Sequence, residues 1–298
     1  MKNNEMKKIV LPEGNDERVL KAAAKLIEEK VCHPVLIGDV TAIKAILGDA
    51  GYTAVEPDTE PLITLQAQQQ EKGKHFPVDD VCLVQGSVMV RDGAVDGIVS
   101  GAVATTSDVF RTYVKTIGAR NDVSRVTSCF LMENGAHRYI FADCGLNPES
   151  NAEQLAETAF LSAEFAKTVD IAPKVAFLTF QTRGSAASEA TDRIANATGI
   201  AKRTHSLDCD GPLQFDSAFD ASVAEKKVSD STVAGQATVY IFPDLASGNI
   251  GYKIAERLGG YQATGPLFLG FAKPAYDLSR GCSSNDIVRV VKLAVEQV

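Results

Sequence analysis

The sequence predicts an α/β protein built on mostly parallel sheets. Short apolar runs alternate with stretches of helical period along most of the chain, the order that gives parallel strands joined by crossover helices. Runs such as Val239-Tyr240-Ile241-Phe242 are apolar at every position, as expected of a strand buried on both faces. With 298 residues, and roughly 150 residues per domain, about two domains are expected.

Lys8-Ile9-Val10-Leu11 reads as a strand, and a helix is expected from about Asp16 to Lys30 with Val19, Leu20, Ala23 and Leu26 on one face. Pro34 to Gly38 follows as a strand and Thr41 to Leu47 as a short helix. Glu56 to Asp80, with its polar run Gln66 to Lys74, lacks a core rhythm and is expected to be a surface helix or a mobile loop. Gly97-Ile98-Val99 and His137 to Ala142 read as strands. Ser150-Asn151-Ala152-Glu153 fits a capping box opening a helix with Leu155, Ala159, Ser162, Ala163 and Ala166 along one stripe. Lys174 to Phe180 is a strand, Ala190 to Arg203 a helix, Thr238 to Phe242 a strand, Gly248 to Leu258 a helix and Leu267 to Leu269 a strand. In the last helix Ile287, Val290, Val291, Ala294 and Val298 share a face.

Composition excludes several classes. Hydrophobic residues at 45% and charged residues at 23% are ordinary globular usage, which argues against a disordered or collagen-like chain. No apolar run approaches the ~18 residues that suggest a membrane helix, and Ile9-Val10-Leu11, ended by Pro12, is too short for a signal peptide's apolar region. A cytoplasmic protein is expected. The net charge of -8 repels nucleic acid and anionic membranes, so neither is an expected partner, and an anionic ligand would need a local arginine cluster. The six cysteines are dispersed without a C-x-x-C and read as reduced thiols. With four scattered histidines and no H-E-x-x-H, no metal site is expected. The P-loop, G-x-G-x-x-G and G-x-S-x-G motifs of nucleotidases, Rossmann dehydrogenases and α/β-hydrolases are all missing.

Ligands of open parallel sheets bind where strands end and helix N-termini point. Four such junctions are rich in small and hydroxyl residues: Val99 to Ser107, containing Ser100 and Gly101 and followed by Arg111; Thr179 to Ala186; Ser247 to Gly251; and Asp277 to Gly281. Each alone fits ordinary turn and cap chemistry. Four together, with arginines in or after three of them, favour an anionic ligand. In the last, Ser283 and Asp286 have capping-box spacing, and spacing alone makes Asp286 a first-turn helix residue and Arg280 a loop cation.

The segments Leu11-Pro12-Glu13 with Arg18, Asp96 to Gly101 with Arg111, Phe141-Ala142-Asp143-Cys144, Asp210 to Asp216, Ile241 to Leu245 with Gly248 to Ala255, and Lys273-Pro274 with Asp277 to Cys282 carry a resemblance over nearly the whole chain. Through them the sequence resembles the phosphate acetyltransferase (phosphotransacetylase) family, whose members interconvert acetyl-CoA plus phosphate with acetyl phosphate plus CoA. The resemblance implies two α/β domains with an active-site cleft between them, here 1–145 plus 271–298 and an inserted 146–270. It further implies a homodimer, no cofactor (coenzyme A being a substrate), and a pathway link to an acetate kinase. It makes Asp286 the base that takes the CoA thiol proton, Arg280 the cation that holds the phosphoryl end and offsets charge on the intermediate, and Ser279 a hydrogen-bond donor to the same intermediate. It assigns Arg111, Arg18, Ser100 and Gly101 to CoA or phosphate binding. A positioned base suits a thiol whose free pKa is near ~8.5. Attack would be direct, in a ternary complex; Cys282 has no histidine near it in sequence to activate it as an acyl carrier. One departure stands out: the family's Arg-x-x-Lys-Gly segment corresponds to Gln66 to Lys74, with Gln69 near the arginine's place and Lys72-Gly73 retained. Lys72 and Lys74 are the expected substitutes. Alternative readings are the same chemistry on propionyl or butyryl groups, a non-catalytic transacetylase-like regulatory domain, and a decarboxylating dehydrogenase of related fold. The last would need clustered metal-binding aspartates that the sequence lacks.

Overall fold

The computed structural model describes residues 6–183 and 188–298. In chain order these form β1 (Lys8–Leu11), α1 (Glu17–Glu28), β2 (His33–Ile37), α2 (Val40–Leu47), β3 (Thr53–Val55), α3 (Glu60–Glu71), α4 (Val81–Arg91), β4 (Gly97–Ser100) and α5 (Thr106–Thr116). Next come β5 (Thr127–Asn134), β6 (His137–Ala142), α6 (Ala152–Thr168), β7 (Val175–Leu178), α7 (Glu189–His205), β8 (Cys209–Leu213), α8 (Phe215–Phe219), α9 (Ala221–Lys227), β9 (Val239–Ile241), α10 (Leu245–Arg257) and β10 (Gln262–Leu269). The chain closes with β11 (Ala275–Asp277) and α11 (Ser284–Glu296). It divides into two units, 1–120 with 271–298 and 121–270.

The first unit holds a five-stranded sheet in the order β11-β4-β1-β2-β3, with every pairing parallel. The chain runs outward from β1 through β2 to β3, then returns to place β4 on the other side of β1. The order therefore reverses between β1 and β4, and the crevice beyond their carboxyl ends is where such sheets bind ligands. Ile9, Val10, Leu36, Ile37 and Ile98 are wholly buried, as the continuous apolar runs require. Helix α1 buries Val19, Leu20, Ala23 and Leu26, the expected stripe, and α11 buries Ile287, Val290, Val291 and Ala294. The stretch from Glu56 to Asp80 contains a helix, α3, anchored by Leu62, Leu65 and Gln69.

The second unit holds a six-stranded sheet, β10-β5-β6-β9-β7-β8. Its β6-β9-β7-β8 part is parallel, and β5 and β10 add antiparallel to one side. That addition moves the domain boundary. The expected first domain ends at 145, but the hairpin β5–β6 pairs with β10 and β9, so 121–145 lies in the second unit. Helix α6 also starts one residue later than expected. Asn151, not Ser150, exchanges bonds with Gln154 (Gln154 N–H to Oδ1, 2.8 Å; Asn151 N–H to Oε1, 3.0 Å), and the Ser150 hydroxyl instead accepts from Arg125. Helix α10 starts earlier than expected because Asp244 caps it, taking the Ser247 N–H at 2.8 Å. Ser247 to Gly251 is thus helix and not a ligand loop. Gly248 is small because a Cβ there would come 2.4 Å from the Asp143 carbonyl oxygen.

The Phe141-Ala142-Asp143-Cys144 segment has a structural task in this unit. Asp143, 5% exposed, accepts from the Thr127 and Ser128 hydroxyls, from the N–H groups of Gly145, Leu146 and Asn147, and from the Asn147 side chain. One carboxylate so ties the end of β6 to the start of β5 and satisfies the turn between β6 and α6. Burial pushes the adjacent Cys144 thiol well up, which keeps it a protonated core residue.

Candidate active site

The carboxyl ends of β1, β4 and β11 lie side by side, and the loops that leave them form one polar cluster at the reversal point of the first sheet. The β1 loop supplies Glu13 and Asp16, and the first turn of α1 supplies Arg18. Asp16 is the N-cap of α1 and accepts the Arg18 N–H at 2.8 Å, Nε at 3.0 Å and Nη2 at 2.8 Å. Those bonds to Arg18 hold the Asp16 carboxyl below its ordinary range, against a smaller opposing effect of burial. The rest of the Arg18 fork reaches across the cluster. Nη1 donates to the Arg280 carbonyl at 2.7 Å and the Cys282 carbonyl at 3.2 Å, and Nη2 donates to the Ala102 carbonyl at 2.7 Å. All five N–H bonds of the guanidinium are thereby engaged by the chain itself.

The loop after β11 carries the three residues of greatest chemical interest. Leu278 N–H continues the pairing with β4, donating to Ser100 O at 2.8 Å. Ser279 and Arg280 are exposed in the turn that follows, and the turn is closed by Cys282 N–H to Ser279 O at 2.8 Å. The Arg280 guanidinium makes no ion pair among the described residues. Ser283 and Asp286 form a reciprocal capping box at the start of α11. Asp286 Oδ2 accepts from Ser283 N–H at 2.9 Å and Ser283 Oγ at 2.8 Å. The capping role read from spacing is therefore present, and it employs one carboxylate oxygen. Cys282, 8% exposed, has its thiol pushed up to about 11, by burial first and by Asp286 and Glu13 after it, against the opposing pull of Arg18. That is the wrong direction for an acyl-accepting thiolate.

The other sequence candidates are less alike than their grouping implies. Arg111 is half exposed on α5, with Asp108 at 3.7 Å. The Ser100 hydroxyl faces inward, 2.7 Å from Tyr113 Oη in a fully buried pair, so only its backbone borders the loops. Gly101 is required where it stands: its φ is 102°, and a Cβ there would lie 2.1 Å from Asp277 Oδ1. Lys72 and Lys74 are exposed at the end of α3, and among the described residues no hydrogen bond or ion pair joins them to the loops after β1, β4 and β11. Gln69 is 6% exposed, so it does not present a side chain to solvent where the family arginine falls. Gly184, Ser185 and Ala186 of the Thr179–Ala186 junction lie outside the described residues.

Two carboxylates in the cluster are not singled out by sequence reasoning. Glu13 accepts four consecutive backbone N–H groups from Gly101 to Ala104. Asp277 is fully buried, and neither of its oxygens has a hydrogen-bond partner. Its carboxyl is pushed up to about 7 by burial, against the opposing pull of the nearby Thr106 hydroxyl and Leu278 N–H, with Glu13 adding the smallest, upward, effect; that N–H is already committed to Ser100. The signal that finds both is topological: each stands at or just past the carboxyl end of a strand, Glu13 beside the reversal point and Asp277 one strand beyond it.

A cation and a hydroxyl in a pinned loop and a carboxylate at the following helix start, beside a sheet switch point, together with a half-exposed arginine on α5, define an α/β protein equipped to handle an anionic substrate. The comparison with known proteins narrows that class. Residues 1–295 match the family described as phosphate acetyl/butaryl transferase. Phosphate acetyltransferase of Bacillus subtilis is 40% identical, covering 97% of this chain and 94% of its own. A phosphotransacetylase structure from Streptococcus pyogenes superposes with a TM-score of 0.89 at 41% identity, covering 99% of this chain and 94% of that one. One from Staphylococcus aureus gives 0.86 at 38% identity, with 98% and 94% covered. The chain belongs to this family of acyltransferases.

Proposed function

We propose that this protein transfers an acetyl group reversibly between acetyl-CoA and phosphate, giving acetyl phosphate and CoA. In the direction of acetyl-CoA synthesis, Asp286 takes the proton from the CoA thiol, and the thiolate sulfur bonds to the acetyl carbonyl carbon. The carbon–oxygen bond to phosphate then breaks, and phosphate leaves. Arg280 offsets the charge on phosphate and on the tetrahedral intermediate, and Ser279 donates a hydrogen bond to that intermediate. Arg111 serves the phosphates of CoA. No acyl-enzyme is formed and no cofactor is needed.

The observation that carries the reading is the pinned loop: Arg280, without an ion pair among the described residues, has its carbonyl gripped by Arg18, six residues before a carboxylate fixed by its cap. Donors held in place before the reaction stabilise a developing oxyanion at little reorganisation cost. The test is CoA consumption, followed by loss of free thiol, with acetyl, propionyl and butyryl phosphate in parallel. Acetyl phosphate should react fastest. Faster reaction of a longer acyl phosphate would reassign the substrate, and no reaction with any would favour a regulatory domain.

We further infer a cytoplasmic homodimer that shares acetyl phosphate with an acetate kinase. Among the described residues no helix is long and apolar enough to cross a membrane. The second unit exposes Ile250, Ile254 and Leu258 along α10 and Phe215 and Phe219 on α8, beside a cavity of about 440 Å³ lined by Phe141, Tyr240 and Phe242. A face this apolar suits a second copy of the chain. Sedimentation should give twice the chain mass, and Ile254→Asp should lower it; a single-chain mass for the unaltered protein would refute the dimer.

A further inference from the structure

Glu13 stands two residues beyond β1 and is the least expected member of the cluster. Its Oε1 accepts from the N–H groups of Gly101 (3.2 Å), Val103 (2.8 Å) and Ala104 (2.9 Å), and its Oε2 accepts from Ala102 N–H (2.8 Å). Consecutive N–H groups converging on one point make an anion-binding concavity, the device by which strand-to-helix turns hold phosphate. The turn also leads into α5, whose N-cap is Thr105. The chain therefore builds an anion site at its switch point and fills it with its own carboxylate.

The consequence extends past the turn. Arg18, on the helix that follows the same β1 loop, takes the Ala102 carbonyl with Nη2 and the Arg280 carbonyl with Nη1. One short segment thus holds the Gly101–Ala104 turn from both sides, by its N–H groups through Glu13 and by a carbonyl through Arg18. The second of these connections also runs to the loop of Ser279 and Arg280. On the opposite side Gly101 lies against Asp277, so the turn has no room to shift without disturbing the end of β11.

We propose that Glu13 is a positioning residue for the transfer reaction: a built-in anion that fixes the Gly101–Ala104 turn and, through the shared Arg18 contact, the loop bearing Ser279 and Arg280. The proposal rests on the acetyl-transfer reading given above, and its test separates the two. In the full-length protein, Glu13→Ala removes the anion and leaves the N–H groups facing an empty space that a small carboxylate fits. Amide hydrogen exchange should quicken by about tenfold or more at 101–104 and at 278–282, reporting local opening. In the thiol assay kcat should fall roughly 10- to 100-fold, the cost of a misplacement on the order of 1 Å at the reacting centre, with a smaller change in KM. Formate is the probe for rescue, because it carries the carboxylate without being a substrate; tens of millimolar should restore part of the amide protection and part of kcat. Glu13→Gln keeps one acceptor but turns an NH2 group toward an N–H group. It should give an intermediate loss with no response to formate, and it decides the question if the alanine variant fails to fold. The proposal is overturned if both variants keep wild-type exchange, or if they only melt earlier with kcat unchanged and formate without effect. If the unaltered protein transfers no acyl group, the acetyl-transfer reading fails, while the exchange data still decide whether Glu13 holds the two loops.

Discussion

Asp277 offers a direct measurement of what the polar cluster costs the fold. Its carboxyl is fully buried with no hydrogen-bond partner, so ionising it in place is unfavourable. An open chain titrates this group near 3.8, whereas the fold moves it to about 7, mainly by burial. The folded form therefore holds a proton that the unfolded chain has already released, and stability falls as pH rises from about 4 to about 7 and levels off above. The full gap corresponds to ~4 kcal/mol, and the part lost between pH 5 and pH 8 to roughly 2.5 kcal/mol. Asp277→Asn keeps the shape and abolishes the titration. Urea unfolding of both proteins at pH 5, 6, 7 and 8 isolates the effect, because the other carboxylates cancel in the difference. The variant should gain stability relative to the parent by about 2 to 3 kcal/mol between pH 5 and pH 8, most of it below pH 7. A difference that stays constant with pH would refute the argument.

The remaining expectations concern the reaction. Asp286→Asn should lower kcat by about 10²–10⁴ with little change in KM; near-normal kcat would leave Asp286 as a helix cap alone. Arg280→Ala should cost roughly 1.5–3 kcal/mol of transition-state binding, as charge-assisted hydrogen bonds are lost, and lysine there should rescue only part because it lacks the planar fork; a full rescue would show that a point charge is enough. Replacing both Lys72 and Lys74 by alanine should raise the KM for CoA several-fold and leave kcat nearly unchanged, more visibly at low salt. An unchanged KM at low and moderate salt would make them solvated surface charges.

What the sequence reveals follows the range of the interactions concerned. Helices α1 and α11 are legible because Val19, Leu20, Ala23 and Leu26, and Ile287, Val290, Val291 and Ala294, repeat at helical spacing and are buried at that spacing. Helix α4 is not, since Leu83, Val84, Gln85, Gly86 and Ser87 are all buried in succession, and a helix covered on most sides shows no stripe. The first domain boundary fails for a different reason. What assigns β5 to the second unit is its pairing with β10, as in Thr127 opposite Leu269, and a contact so remote in sequence leaves no local mark. The loop of Ser279, Arg280 and Asp286 is visible as turn and cap chemistry, and its catalytic reading comes from family resemblance.

Arg18 and Arg111 show why residue type alone underdetermines a site. Both are arginines near strand ends, and both carry the same expectation of binding phosphate. Arg18 has five donors meeting five acceptors of the chain, and the bonds to Asp16 raise its own pKa while burial opposes them. An incoming phosphate would have to displace carbonyls that hold two loops in register, so its gain would be offset by loosening the site it enters. Arg111 faces no such conflict: it is half exposed, and its Asp108 contact at 3.7 Å is the kind of surface pair that contributes ~1 kcal/mol or less. It can exchange that partner for a phosphate at small cost. The contrast is between an arginine already committed to holding the loops and one whose only close acceptor is a surface carboxylate, and it is set by which acceptors the fold has already placed within reach.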